Sequence, residues 1–341
     1  MAMPLAADLI GALPGPALLI GKSQRIEAAN AAAEGLFGAG LLGRHYAVAI
    51  RQPSILEAIE AVQGGAASAN ARYLARRDGR DTTWKAQVKP IGDTFLVTLE
   101  DLSATEEVDQ MRRDFVANVS HELKTPLTAM IGFIETLQGP ARDDAAARAR
   151  FLATMQREAQ RMHRLVEDLL SLSRVEATER MRPRDTADVA LTLASVLTML
   201  AGKAEEAGVT VQFARPDKPV LINADPDQLR QVFSNLVENA MKYGAQRVEL
   251  HLAESEHIPE LRRPGVVVDV IDDGPGIDSM HLPRLTERFY RVDTHRSREV
   301  GGTGLGLAIV KHVVSRHRGR LRVASSEGEG SVFTVCLPRE P

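Results

Sequence analysis

The sequence holds a single cysteine, Cys336, among 341 residues, so no intramolecular disulfide can form and a reducing compartment is implied. Cys336 lies in an alternating apolar run near the C-terminus and reads as a small buried strand residue. Long hydrophobic runs are also missing. The most apolar N-terminal stretch, Leu9 to Ile20, is broken by Pro14 and Pro16, so it cannot cross a bilayer as a helix, and no basic segment precedes it as in a signal peptide. No membrane-spanning segment is expected in this chain. A cytoplasmic location is expected, for a free protein or for the soluble part of a membrane-anchored one. Charge of one sign is not in excess: 42 Lys and Arg stand against 45 Asp and Glu, a net charge of −3 that leaves no electrostatic footprint for nucleic acid. What is present, 44% apolar and 26% charged residues, is the composition of a folded protein, and the length points to two or three domains.

Residues 1 to about 104 read as a small α+β unit. Ala17 to Ile20 and Arg25 to Glu27 suggest a hairpin, and Ala29 to Phe37 and Ser54 to Val62 short helices. Strand chemistry follows at Ala71 to Arg76, then the turn Asp78-Gly79, Thr82 to Val88, a break at Pro90 to Asp93, and Thr94 to Leu99. This order resembles a PAS sensor domain, with Asn30 where such domains often carry an Asn. Trp84 and Tyr73 are candidates to line a ligand cavity, although aromatic residues in strands are more often plain core.

From Val108 the period becomes helical: Val108, Met111, Phe115, Val119, Leu123, Leu127, Met130, Ile134 and Leu137 form the seam of a long amphipathic helix ended by Gly139-Pro140. Asp143 and Asp144 are candidate caps of a second helix, striped by Leu152, Met155, Ala159, Met162, Val166, Leu169 and Leu172. Two such helices make an antiparallel hairpin that cannot bury both stripes alone, so a four-helix bundle in a homodimer is the simplest completion. His121 lies two positions from both Val119 and Leu123, and at about 100° per residue it points away from the seam into solvent. A lone exposed histidine is ordinarily just a solvated surface residue. Here Glu122 can hold the proton on one ring nitrogen while the other presents its lone pair to phosphorus, Pro126 loosens the helix, and Thr125 sits four residues on.

After Arg182-Pro183-Arg184 the pattern is α/β. Helices are expected at Ala187 to Ala207, Asp227 to Tyr243 and Leu305 to His317. Strands are expected at Val209 to Phe213, Val220 to Ala224, Arg247 to Ala253, Val266 to Ile271, Leu321 to Ser325 and Ser331 to Leu337, with an irregular Arg-rich stretch over Asp278 to Val300. On the helix from 227 to 243, Asn235, Asn239, Lys242 and Tyr243 share one face, opposite Leu229, Phe233, Leu236 and Ala240. An amide oxygen suits a hard cation, a lysine suits phosphate and a tyrosine ring packs on a base. Asp272-Asp273-Gly274-Pro275-Gly276-Ile277 follows a strand, and Gly301-Gly302-Thr303-Gly304-Leu305-Gly306-Leu307 opens a helix whose N–H groups favour phosphate. Taken singly, these are a solvated helix edge, a common turn and a hinge.

Their order is what carries information. Ser120 to Leu127 is similar to the H-box of sensor histidine kinases, and the helix row, the DxGxG loop and the Gly-rich turn are similar to the N, G1 and G2 boxes of the GHKL ATP-binding fold. Glu287-Arg288-Phe289-Tyr290-Arg291 resembles the F-box, and Glu327-Gly328-Glu329-Gly330-Ser331 with Phe333 the terminal Gly-rich box. The resemblance covers about 108 to 338. It implies a PAS-like α+β sensor domain (1–104), an antiparallel HisKA hairpin forming a dimeric four-helix bundle (105–180) and an α/β sandwich that binds ATP (181–341). By resemblance His121 is phosphorylated, Glu122 assists, and Thr125 helps to position a water for removing phosphate from the partner. Asn239 coordinates Mg²⁺ and Asn235 lies close to it; Lys242 contacts phosphate, Tyr243 flanks the nucleotide and Asp272 reads adenine. Gly274, Gly276, Gly302, Thr303, Gly304, Leu305 and Gly306 belong to the loops around the ATP. The implied partner is the receiver domain of a separate response regulator, and the arrangement resembles the cytoplasmic part of phosphate-regulon sensor kinases. Alternatives are a GHKL ATPase of the chaperone or DNA-repair type, a kinase acting on serine, and a dimeric scaffold or phosphatase that binds ATP without productive transfer.

Overall fold

The computed structural model describes residues 3–77, 80–179, 181–292 and 302–339. The turn Asp78-Gly79, residues 293–300 of the Arg-rich stretch, Gly301 and the side chain of Val108 lie outside the described residues. The chain separates into two compact units, Met1–Ala117 and Asn118–Pro341.

The first unit is a five-stranded antiparallel sheet in the order β2-β1-β5-β4-β3, made of β1 (Ala17–Ile20), β2 (Ile26–Ala29), β3 (Ala69–Arg77), β4 (Arg80–Ile91) and β5 (Thr94–Asp101). Helices α2 (Ala31–Phe37), α3 (Tyr46–Ala49) and α4 (Pro53–Gln63) contribute Ala33, Tyr46, Ile55 and Ile59 to a core shared with Leu18, Ile20, Trp84 and Val97. Leu19, one residue out of phase with Leu18, instead meets Ile10 of α1 (Met3–Gly11), a helix the sequence pattern does not announce. Trp84 is core and Tyr73 packs on Phe37 with ring centroids 5.2 Å apart. The expected break at Pro90 to Asp93 is shorter than expected: β4 continues through Pro90, which pairs with Phe95, and the turn is confined to Gly92 and Asp93. The ladder from β3 ends at Val88, so the amide that Pro90 lacks faces no strand on that side. Asn30 organises the entrance to this unit. Its Oδ1 accepts from the amides of Ala17 and Ala33 at 3.1 and 2.9 Å, and its Nδ2 donates to the carbonyls of Ile10, Leu13 and Gly15.

Helix α5 (Ser103–Gln138) starts where Asp101 accepts from the Ser103 amide, five residues before the apolar period becomes visible. Asp144 caps α6 (Ala145–Thr178) through the Ala147 amide at 2.9 Å. In the hairpin Phe133 stacks on Phe151, and Leu165, Leu172 and Val175 are buried. Leu127, Ile131, Ile134, Leu152, Val166 and Leu170 remain exposed, so one copy of the hairpin leaves much of its apolar stripe uncovered.

Beyond the hairpin, β7 (Thr210–Phe213), β9 (Arg247–Ile258), β10 (Arg263–Asp272), β11 (Arg320–Ser326) and β12 (Gly330–Pro338) form a sheet in the order β11-β12-β10-β9-β7, with β7 parallel to β9 and the other neighbours antiparallel. Val248, Leu250, Val268, Val270, Phe333 and Val335 are buried with the apolar sides of α7 (Val189–Ala207), α8 (Pro226–Lys242) and α9 (Gly306–Arg316). Residues 187 and 188, expected as helix, belong to a short strand β6 (Thr186–Asp188) that pairs with β8 (Leu221–Asn223); Asp188 then caps α7 through the Ala190 amide. His317, 1% exposed, fastens α9 to the start of α8: its Nδ1 donates to the Val313 carbonyl at 2.8 Å and its Nε2 accepts from the Asp225 amide at 3.0 Å.

Candidate functional site

The solvent side of α5 presents His121 exposed, as its angular position requires. Two features set its backbone apart. Pro126 has no amide to give the Glu122 carbonyl, and the Thr125 hydroxyl donates to the His121 carbonyl at 3.1 Å. The Glu122 carboxylate is turned to the second helix, where it forms an ion pair with Arg161 between side chains only 16% and 13% exposed.

On α8 the row Asn235, Asn239, Lys242 and Tyr243 is displayed because Leu229, Val232, Phe233, Leu236 and Val237 are fully buried beneath it. Asn235 Nδ2 donates to the Gly306 carbonyl at 3.3 Å, which ties the row to the first turn of α9. Lys242 pairs with Glu238 at 3.3 Å, and Lys203 of α7 reaches the same carboxylate at 2.8 Å. Burial pushes the Glu238 carboxyl up, but the hydrogen bond from Lys203 and the charge of Lys242 outweigh it and hold the group below its ordinary value. Tyr243 closes the helix and is 39% exposed.

The DxGxG loop lies at the other end of the row. A β-carbon on Gly274 would stand 3.7 Å from the Tyr243 carbonyl, so the two glycine loops flank a helix face about 12 Å long at 1.5 Å per residue. Asp272 accepts from the Gly274 amide at 3.0 Å. Burial raises its pKa, opposed by the Gly274 and Ser331 amides and helped by Asp273. Asp273 plays a structural part, accepting from the amides of Gln246 and Arg247 at 2.7 and 2.8 Å and so anchoring the start of β9. Gly276 has φ +72°, and a β-carbon there would stand 1.8 Å from the Ser326 carbonyl, so only glycine fits. The terminal Gly-rich turn folds onto this loop through Gly328 N–H to the Pro275 carbonyl at 2.7 Å. Gly304, φ +73°, meets Phe289 backbone to backbone, and the Phe289 amide donates to the Gly304 carbonyl at 2.8 Å.

The helix face between the two loops thus presents amides, a lysine, exposed backbone and a half-buried carboxylate. Among the described residues no group of three His, Cys, Asp or Glu side chains is placed to hold a metal. Asn239 offers one neutral oxygen, a donor set that fits a hard cation only where a ligand brings further oxygens, as a magnesium–nucleotide complex does.

The hairpin and the glycine-bounded domain that follows it meet along α6. Thr303 Oγ1 donates to Asp168 Oδ2 at 2.6 Å, Ser171 bonds Gln231 at 2.9 Å, Arg288 pairs with Glu176 at 2.6 Å, and His312 lies 3.6 and 3.3 Å from Glu176 and Glu179. A narrow crevice near His121 is lined by Glu122, Arg161, Met162, Leu165 and Thr303. Arg161, Asp168, Glu176 and His312 escape a sequence reading, because charged residues on the outer positions of a helix carry no mark of the partner that folding brings them.

Residues 111–178 match the family described as His Kinase A (phospho-acceptor) domain, and residues 224–341 the family described as histidine kinase-, DNA gyrase B-, and HSP90-like ATPase. The phosphate regulon sensor protein PhoR of Pseudomonas aeruginosa is 43% identical over 243 residues, 70% of this chain and 53% of that protein. The sensor protein kinase WalK of Staphylococcus aureus is 38% identical over 250 residues, 72% of this chain and 58% of that protein. The chain therefore spans about half the length of the curated relatives it matches. Among solved structures, histidine kinase ThkA in complex with response regulator protein TrrA superposes with a TM-score of 0.52 at 20% identity, covering 98% of each chain, a likeness of fold.

Proposed function

The chain belongs to the sensor histidine kinases, and from that premise we propose that it phosphorylates itself on His121 from ATP and passes the phosphoryl group to an aspartate of a separate response-regulator receiver domain. The observation that carries this reading is an exposed imidazole near Pro126, which removes one rung of the helix ladder, in the same compact unit as a polar helix face bounded by two glycine loops. A ring nitrogen of His121 attacks the terminal phosphorus of ATP; the N–P bond forms as the P–O bond to ADP breaks. Glu122 takes the proton borne by the other ring nitrogen, for which its pair with Arg161 has to open. Lys242 and the amides at the start of α9 orient the phosphates, Asp272 holds the adenine amine, and Tyr243 flanks the base. Mg²⁺ at Asn239 supplies charge neutralisation on the phosphates. Thr125 positions water when the enzyme removes phosphate from its partner regulator. Exposed apolar residues on the hairpin support a homodimer through a four-helix bundle. The first unit, an α+β fold on a five-stranded sheet, acts as a PAS-like sensor. No described helix is long and apolar enough to cross a membrane. A cytoplasmic site of action accords with the single, buried Cys336.

The test is incubation with γ-labelled ATP and Mg²⁺. Acid-labile, base-stable label that is lost in His121→Gln and moves to a receiver domain is expected. Acid-stable label on serine, or ATP turnover with no labelled protein, overturns the proposal.

A further inference from the structure

The Gly302–Gly306 turn, which the proposed function assigns to the ATP phosphates, already has an anion on it. Thr303 Oγ1 accepts from the Leu305 amide at 3.3 Å and donates to the Asp168 carboxylate at 2.6 Å. The hydroxyl therefore relays the amide-rich start of α9 to a negative group from α6. Lys242, the lysine expected on phosphate, also acts on Asp168 by its charge. One element of the phosphate cradle is thus held by a side chain of the hairpin.

We propose that Asp168 is a positioning residue that competes with the nucleotide for this turn: docked on Thr303, its carboxylate holds the phosphate-binding turn against α6, and ATP loading requires it to leave or be neutralised. The inference rests on the nucleotide reading of the cleft and deepens it. Burial raises the pKa of Asp168, opposed by the Thr303 bond and the charge of Lys242 and reinforced by Glu167 and Glu238, so this carboxylate is held less comfortably than an exposed one. An incoming triphosphate adds negative charge beside it and strengthens that tendency. The binding of ATP and the release of the turn from the hairpin are then one event. Coupling of this kind makes the position of α6 a determinant of nucleotide affinity.

Equilibrium binding of the magnesium complex of β,γ-imido-ATP to the full chain, by calorimetry, tests it. Asp168→Asn keeps the shape and removes the charge, and tighter binding by about three- to ten-fold is expected, with a matching fall in the KM for ATP. Asp168→Ser should tighten binding in the same direction, which guards against misfolding of one variant. Asp168→Glu restores the charge and should return affinity toward wild type. Glu167→Gln, an exposed carboxylate on the same helix, should stay within about two-fold. Unchanged or weaker binding in both charge-removing variants, with wild-type binding intact, overturns the inference alone. Failure of the wild-type chain to bind overturns the nucleotide reading beneath it.

Discussion

Replacing His317 by Phe isolates one hydrogen bond and one proton. The ring is 1% exposed, donates from Nδ1 and accepts at Nε2, an arrangement open only to the neutral imidazole in a single tautomer. Burial, first, and the charges of Arg316 and Arg182 push its pKa down, against the Val313 hydrogen bond and the charge of Asp225. Phe keeps the apolar volume but orphans the Asp225 amide. The Val313 carbonyl retains the His317 backbone amide at 3.1 Å, so only one group is left unsatisfied. The expected cost at pH 7.5 is about 2 kcal/mol. Below pH ~6.5 the unfolded chain protonates this histidine and the folded chain resists, so the unfolded state binds more protons and wild-type stability falls on acidification. The loss grows as the pH drops further below that value. Phe cannot share it, so the gap between wild type and variant should shrink steadily from pH 7.5 to pH 5.5. Urea titrations of the full chain followed by far-UV circular dichroism at three pH values measure the gap. Trp84, the only tryptophan, lies in the other unit, and its fluorescence transition serves as an internal control. A gap that is constant or widens as pH falls refutes the neutral-ring argument.

Asn30→Ala removes a side chain that makes two acceptor and three donor contacts to backbone at the entrance of the first unit. A loss of about 3 kcal/mol, seen by Trp84 fluorescence, is expected, and a change below about 1 kcal/mol would show that water satisfies these groups equally well. Gly276→Ala places a β-carbon 1.8 Å from the Ser326 carbonyl at a positive φ, so the loop must move. Binding of β,γ-imido-ATP should weaken by about ten-fold or more, and intact affinity would remove this loop from the nucleotide site.

The long helices, the polar face of α8 and the glycine turns were legible because each is written in residues adjacent along the chain or one helical turn apart. Leu229, Phe233 and Leu236 define what α8 buries, so the opposite face follows without any tertiary information. Asp168 and Thr303 are 135 positions apart, and neither spacing nor residue type distinguishes that carboxylate from the other acids of α6. His317 reads as one more polar residue at a helix end until the Asp225 amide, 92 residues earlier, is seen against it. Local rules also misjudged Pro90, which is harmless in a strand only because β3 stops two residues short of it. The ion pair that Glu122 makes with Arg161 across the hairpin was not legible, because the two residues lie on different helices.

Helix α5 gives up one rung of its backbone ladder at Pro126, five residues from His121. Along the rest of its 36 residues a bend must break a bond, whereas at this rung there is none left to break. Bending the rod therefore costs least one turn beyond His121.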